Sequence, residues 1–136
     1  MLVPKEGKKQ MALENSKRED DRLQEVVTLS MLFDFYGELL GDHKKQIFSD
    51  YILNDYSLSE IADDTGLSRQ GVHDIIKRCT KKLKEYEEKL RLVEKFNSTK
   101  LKVNQIKQIS EEIKQTKDLS KINLVEKLSD DILNDL

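Results

Sequence analysis

The sequence predicts an all-α protein: a helix-turn-helix on a long-helix scaffold, with a C-terminal helical tail. Three observations predict it. One Pro and five Gly in 136 residues leave few interruptions, and 37% of the residues are charged, which suits helices with broad solvated faces. Apolar residues recur at helical spacing from about residue 19 onward. Residues 57–78, SLSEIADDTGLSRQGVHDIIKR, carry the caps, turn and packing residues of two short helices in succession.

Taken in order, residues 1–18 are polar, mixed in charge and without a sustained period, and read as a mobile N-terminal extension. The main domain is expected over 19–96 and the helical tail over 97–136. Within 19–40, apolar residues such as Val26, Leu29, Phe33 and Tyr36 fall on more than one side of a helix. Such a helix is either central or covered by a second chain. Gly41 is placed to end it and Asp42 to cap the next, which runs to about Leu53 and buries Ile47, Phe48, Tyr51 and Ile52. Asn54 and Asp55 then break the pattern.

Ser57 and Glu60 stand in the S-x-x-E relation of a capping box, which satisfies free amides at a helix start. Ile61 and Ala62 form the inward face of a short helix. Gly66 follows where a tight turn requires a left-handed backbone. Leu67 plugs the gap, and Ser68 caps a second helix that buries Val72, Ile75 and Ile76. An ordinary helical hairpin would satisfy the same pattern, but the agreement of capping, turn and packing residues favours the DNA-binding type of motif.

The second helix does not stop at the usual length. Val72, Ile76, Cys79, Leu83, Tyr86, Leu90 and Val93 recur at alternating steps of four and three, a heptad seam without Gly or Pro. The helix either packs along the first one in the same chain or joins a homodimer interface. Candidates for that interface are Val26, Leu29, Phe33, Tyr36, Leu83 and Leu90. Asn97, Ser98 and Thr99 predict a break. Two shorter amphipathic pieces follow, marked by Leu101, Ile106, Ile109 and Ile113, and by Leu124, Val125, Leu128, Ile132, Leu133 and Leu136, with Ser120 as a candidate cap.

No enzyme signature is present: no phosphate-binding G-x-x-x-x-G-K-[ST] loop, no G-x-G-x-x-G after a strand, no H-E-x-x-H. Pairs such as Asp63 and Asp64 read as solvated helix faces. The single Cys allows no internal disulfide. No catalytic residue, metal site or cofactor is expected. Cys79, on the seam, reads as a buried structural thiol. No apolar run is long enough to span a membrane, and the first residues lack the apolar core of a signal peptide. A cytoplasmic protein is expected.

Net charge is −2, too acidic for a general nucleic-acid coater. Its distribution is uneven. From residue 69 to 84 the positives are Arg69, Lys77, Arg78, Lys81, Lys82 and Lys84, against the single acid Asp74. This run reads equally as a stripe that directs nucleic acid to one face or as the solvated outside of a long helix. If the second helix of the motif enters a major groove, its N-terminal residues reach base edges. The candidate nucleic-acid-binding set is Ser68, Arg69, Gln70, His73, Lys77, Arg78 and Lys81. Arg69 suits guanine edges or a phosphate, and Gln70 suits adenine. His73 and Lys77 suit phosphates, and Ser68 offers its hydroxyl and helix-start amides. Asp74 opposes a phosphate backbone; it suits a cytosine amino group or a pair with Arg78 at i+4. Gly71 lowers helix propensity but permits close approach.

Three blocks, LFDFYGELL at 32–40, YILNDYSLSEIADDTGLSRQGVHDIIKR at 51–78 and EYEEKLRLVEKF at 85–96, occur in an order that resembles the YlxM family of small bacterial proteins. The resemblance covers about residues 27–96. It implies an all-helical fold whose helix-turn-helix is like DNA-binding region 4 of sigma factors, with 57–65 as supporting helix and 68–78 as recognition helix. Gly71 departs from the Ala expected there. The resemblance also implies a regulatory DNA-binding role. Through the neighbourhood of the family's genes, it implies a connection with the signal recognition particle. The leading expectation is therefore a non-catalytic regulator that binds duplex DNA as a homodimer. The alternative is a protein-interaction or RNA-binding accessory factor of the particle, partnered by its GTPase, receptor or RNA. Net acidity favours the alternative; the positive run and the Arg69–Gln70 pair favour the first.

Overall fold

Strong helix formers run through KEGKKQMALENSKRED, and they set the first element. The computed structural model describes residues 5–136. Helix α1 spans Lys5–Tyr36 and continues into a 3₁₀ turn at Gly37–Leu40. Then come α2 (Asp42–Ile52), α3 (Leu58–Thr65), α4 (Arg69–Leu90), α5 (Leu92–Thr116) and α6 (Ile122–Asp135). The described residues contain no strand, so the fold is all-α. Two compact units divide them: the chain up to Lys89, and Leu90–Leu136.

The predicted extension over 1–18 falls outside the described residues only at 1–4. From Lys5 the chain is helical, not irregular. Ala, Leu, Met, Gln, Lys and Glu favour helix even where no apolar face is buried, and no Pro interrupts them. Leu13, Leu23 and Val27 accordingly stand exposed on α1. The first contact with the core comes at Leu29, and Leu32, Phe33 and Tyr36 follow at helical spacing, all buried.

Phe33 meets Phe48 of α2 with ring centroids 5.5 Å apart. Phe48 and Ile47 are the buried residues of α2. Tyr51, expected inside, is exposed, and Ile52 is half-buried. Asp42 is not the cap of α2 but its first residue; Gly41 occupies the cap position at φ 82°, without a side-chain bond. Tyr36, 1% exposed, ties α1 to α4. Its ring lies 5.9 Å from that of Tyr86, and its hydroxyl donates to Glu87 Oε1 at 2.6 Å. Lys84 Nζ donates to Glu25 Oε1 along the same pair of helices.

The motif region folds as its residues dictate. Ser57 Oγ accepts from the Glu60 amide at 3.1 Å and starts α3. Gly66, at φ 75°, ends it in the left-handed conformation, and its amide donates to the Ala62 carbonyl. A side chain at Gly66 would be strained by its backbone alone. Ile61 is buried from α3, and Val72, Ile76, Cys79 and Leu83 from α4. Ile75 is only half-buried.

The long helix stops before Val93. Arg91 adopts a left-handed conformation at φ 53°, so α4 ends at Leu90 and a new helix begins at Leu92. Nothing in the side chain of Arg91 announces this. The expected break at Asn97, Ser98 and Thr99 is absent, because α5 runs straight through them. In the second unit α5 packs against α6, burying Ile109 and Leu128. Ser120 does not cap α6. Its amide donates to the Asp118 carboxylate at 2.9 Å, holding that carboxyl below its ordinary pKa, and Lys121 takes the cap position.

Two outcomes follow from the packing of α4. Leu83 is fully buried, so Leu83→Ala should lower unfolding free energy by about 2–5 kcal/mol. Urea titration measures it, and a loss below about 1 kcal/mol would contradict a filled site. Cys79 is 2% exposed, and burial raises its pKa against an opposing pull from Lys44. A thiol reagent should therefore react slowly with native protein and rapidly in denaturant; rapid native labelling would place the thiol at the surface.

Candidate nucleic-acid interface

The site is built from the start of α4. Ser68 lies just before the helix and its Oγ accepts from the Gly71 amide at 3.0 Å, satisfying one of the free donors of the first turn. Gly71 fits this arrangement closely. A Cβ there would approach Ser68 Oγ to 3.1 Å, so the glycine leaves room for the capping hydroxyl. The departure from Ala noted in the sequence thus has a local steric meaning.

All seven predicted residues, Ser68, Arg69, Gln70, His73, Lys77, Arg78 and Lys81, are exposed. They do not form one patch. At roughly 100° per residue, Gln70, Lys77 and Lys81 share the outermost face of the helix, with Arg69 and His73 on one flank. Arg78 turns to the other flank. There it lines a cavity with Lys44 and Lys82, two cations outside the predicted set. Lys82 stands at i+4 from Arg78 and was readable from spacing; Lys44 comes from α2 and required the tertiary fold.

On the first flank, Arg69, Gln70 and His73 line a groove of about 380 Å³ together with Leu58 of α3. Here the carboxylate of Asp74 organises its neighbours. Gln70 Nε2 donates to Asp74 Oδ1 at 3.1 Å, and His73 Nδ1 lies 3.7 Å from the same oxygen. Asp74 does not pair with Arg78. Arg69, Lys77, Arg78 and Lys81 make no ion pair among the described residues. The outer face of α4 therefore offers unneutralised cations, while its amide and imidazole are engaged by a neighbouring carboxylate.

The dimer candidates are placed as follows. Leu29, Phe33, Tyr36 and Leu83 are buried within one chain and present no surface to a second. Val26, 42% exposed, and Leu90 remain accessible. Among the described residues no cluster of three or more His, Cys, Asp or Glu side chains is arranged to hold a metal ion. No described helix is long and apolar enough to cross a membrane.

The sequence is similar to those of known proteins. The relatives include UPF0122 protein YlxM of Bacillus subtilis, 40% identical over 107 residues that cover 78% of this chain and 97% of that protein. A Bacillus cereus protein of the same name class is 42% identical over 108 residues, 78% of this chain and 98% of its own. One from Caldanaerobacter subterraneus is 49% identical over 80 residues, 59% of this chain and 68% of its own. A family model described as "Putative helix-turn-helix protein, YlxM / p13 like" matches residues 23–128, which take in α2 to α5, the first half of α6 and the core-forming end of α1. The chain belongs to this UPF0122 helix-turn-helix family.

Proposed function

We propose that the protein is a non-catalytic regulator that binds duplex DNA by laying the first turns of α4 in the major groove. The observation that supports this best is the set of unpaired cations, Arg69, Lys77 and Lys81, on the exposed side of a helix whose start is capped by Ser68. Phosphate contacts from Lys77 and Lys81 would position the helix, and Arg69 and Gln70 would meet base edges. Asp74 accepts a hydrogen bond from Gln70 and lies close to His73. The same carboxylate also favours a second reading, in which the motif meets a protein partner such as a component of the signal recognition particle. A negative group on the reading face discourages phosphate but not a basic protein surface.

A second copy belongs to the DNA reading. One short helix on an acidic chain binds weakly, and two presented a helical turn of DNA apart bind strongly. Leu23, Val26 and Val27, exposed on α1, form one apolar surface that a second copy would cover.

DNA affinity should fall with salt at a log–log slope of about −0.9 per phosphate contacted. Lys77→Ala should reduce that slope by about one and weaken all sequences alike. Arg69→Ala should relax preference at one base position, by about 1–3 kcal/mol. Random-sequence selection with wild type and the Arg69→Ala, Gln70→Ala double variant tests this. Absence of retention on DNA even at low salt would remove the DNA reading and leave the protein-partner one.

Sedimentation at micromolar concentration should give about twice the chain mass of 15.9 kDa. Val26→Glu with Val27→Glu should return it to the monomer with the helical circular dichroism intact, since both residues are exposed. A wild-type monomer at that concentration would overturn the dimer.

A further inference from the structure

On the flank of α4 away from Arg69, a cavity of about 440 Å³ opens between the 3₁₀ turn, α2 and α4. Its lining is chemically selective. Lys44, Arg78 and Lys82 supply three cations, and no carboxylate lines it. None of the three makes an ion pair among the described residues. Glu38, the nearest acid in sequence to the 3₁₀-turn leucines, is engaged by Lys45 instead. Leu39, Leu40, Cys79 and Tyr86 complete the walls. Cys79 and Leu40 are buried, while Leu39 stands 56% exposed.

Three like charges around one concavity repel one another, and low-dielectric walls concentrate their field. Such an arrangement is relieved by an anion. Lys82 Nζ lies 5.8 Å from the centroid of the Tyr86 ring, a cation–π contact that favours its position beside the cavity. That ring is fixed in turn against Tyr36, 5.9 Å away. Holding the ammonium at the rim reduces the ordering that a ligand must impose. The volume lies within the range of small-molecule sites, about 300–1,000 Å³.

We propose that this cavity is a binding site for a small organic phosphate of nucleotide size. Its phosphate lies among Lys44, Arg78 and Lys82, and its less polar body rests on Leu39 and Leu40. The site is separate from the DNA-reading residues on the other flank and does not depend on that reading. The arginine fork suits two phosphate oxygens at once, and the lysines add mobile donors. The leucines distinguish an ester from a bare phosphate ion.

Calorimetric titration of the full chain with AMP, adenosine, inorganic phosphate and a short single-stranded oligonucleotide tests the proposal. AMP should bind with one site per chain. Inorganic phosphate should bind about tenfold more weakly, and adenosine should give no measurable heat. Lys44→Gln and Lys82→Gln should each weaken AMP by about tenfold, as expected for one charge-assisted hydrogen bond. Lys127→Gln, an exposed cation of α6, should change AMP affinity by less than about twofold. Both lysines are exposed, so thermal melting should be unchanged and a folding defect would be visible. The proposal is overturned by no AMP binding at millimolar concentration, or by equal affinity for AMP and inorganic phosphate. AMP binding indifferent to both lysine substitutions would overturn it as well. Binding of the oligonucleotide alone would also overturn it and make the cavity part of a nucleic-acid track.

Discussion

The inward edge of α4 is the constraint on which the rest depends. Val72, Ile76, Cys79 and Leu83 are all buried, and they fix both the depth and the rotation of a single long helix. Once that rotation is set, every other side chain of α4 has an assigned direction. Tyr86 and Glu87 extend the grip through Tyr36, so the end of α1 and the second half of α4 are joined by aromatic and hydrogen-bond contacts as well as apolar ones. A rotation of α4 by one residue would bring Arg69, His73 or Lys84 into the core, an uncompensated burial of charge that a small core cannot absorb.

The fixed rotation divides the exposed cations. Arg69 lies beside α3 and its groove; Arg78, nine residues on, lies about half a turn away around the axis and beside α2. A positive run that looks continuous in sequence is therefore two surfaces in space, with Lys77 and Lys81 between them. Net charge conceals this further. The acids that make the chain negative overall include Asp63 and Asp64, on α3 rather than α4. A charged ligand responds to the local field and not to the sum.

The motif was legible because its signals are local. Ser57, Gly66 and Ser68 act within four residues of themselves, through a cap, a left-handed turn and a cap. The heptad seam is legible as far as Leu83, because the burial it encodes repeats along one helix; Leu90, at the next turns of the same spacing, is exposed. Its end was not legible, because Arg91 takes a positive φ with no side-chain reason that spacing reveals. The reverse error occurred at Asn97, Ser98 and Thr99. These residues favour caps when exposed amides need partners, but within a continuing helix they are merely weaker formers. The long start of α1 carries no apolar period, and propensity alone supports this exposed helix. Lys44 could not be placed beside Arg78 by any spacing rule, since α2 and α4 meet only in the folded chain.

Asp74 gives the reading face its particular character. With Asp74 replaced by a neutral residue, α4 would present Arg69 and Lys77 unopposed by a neighbouring carboxylate, attractive to any phosphate backbone. The carboxylate lowers that general attraction and restrains Gln70, whose amide it accepts at 3.1 Å. Under the proposed function, a partner that recruits Gln70 would have to offer Asp74 a replacement donor, such as a cytosine amino group or a basic side chain. Wrong partners leave the carboxylate desolvated and unpaired, which disfavours them more than loss of an attractive contact would. On either proposed reading of the partner, Asp74 would be the residue through which this surface discriminates.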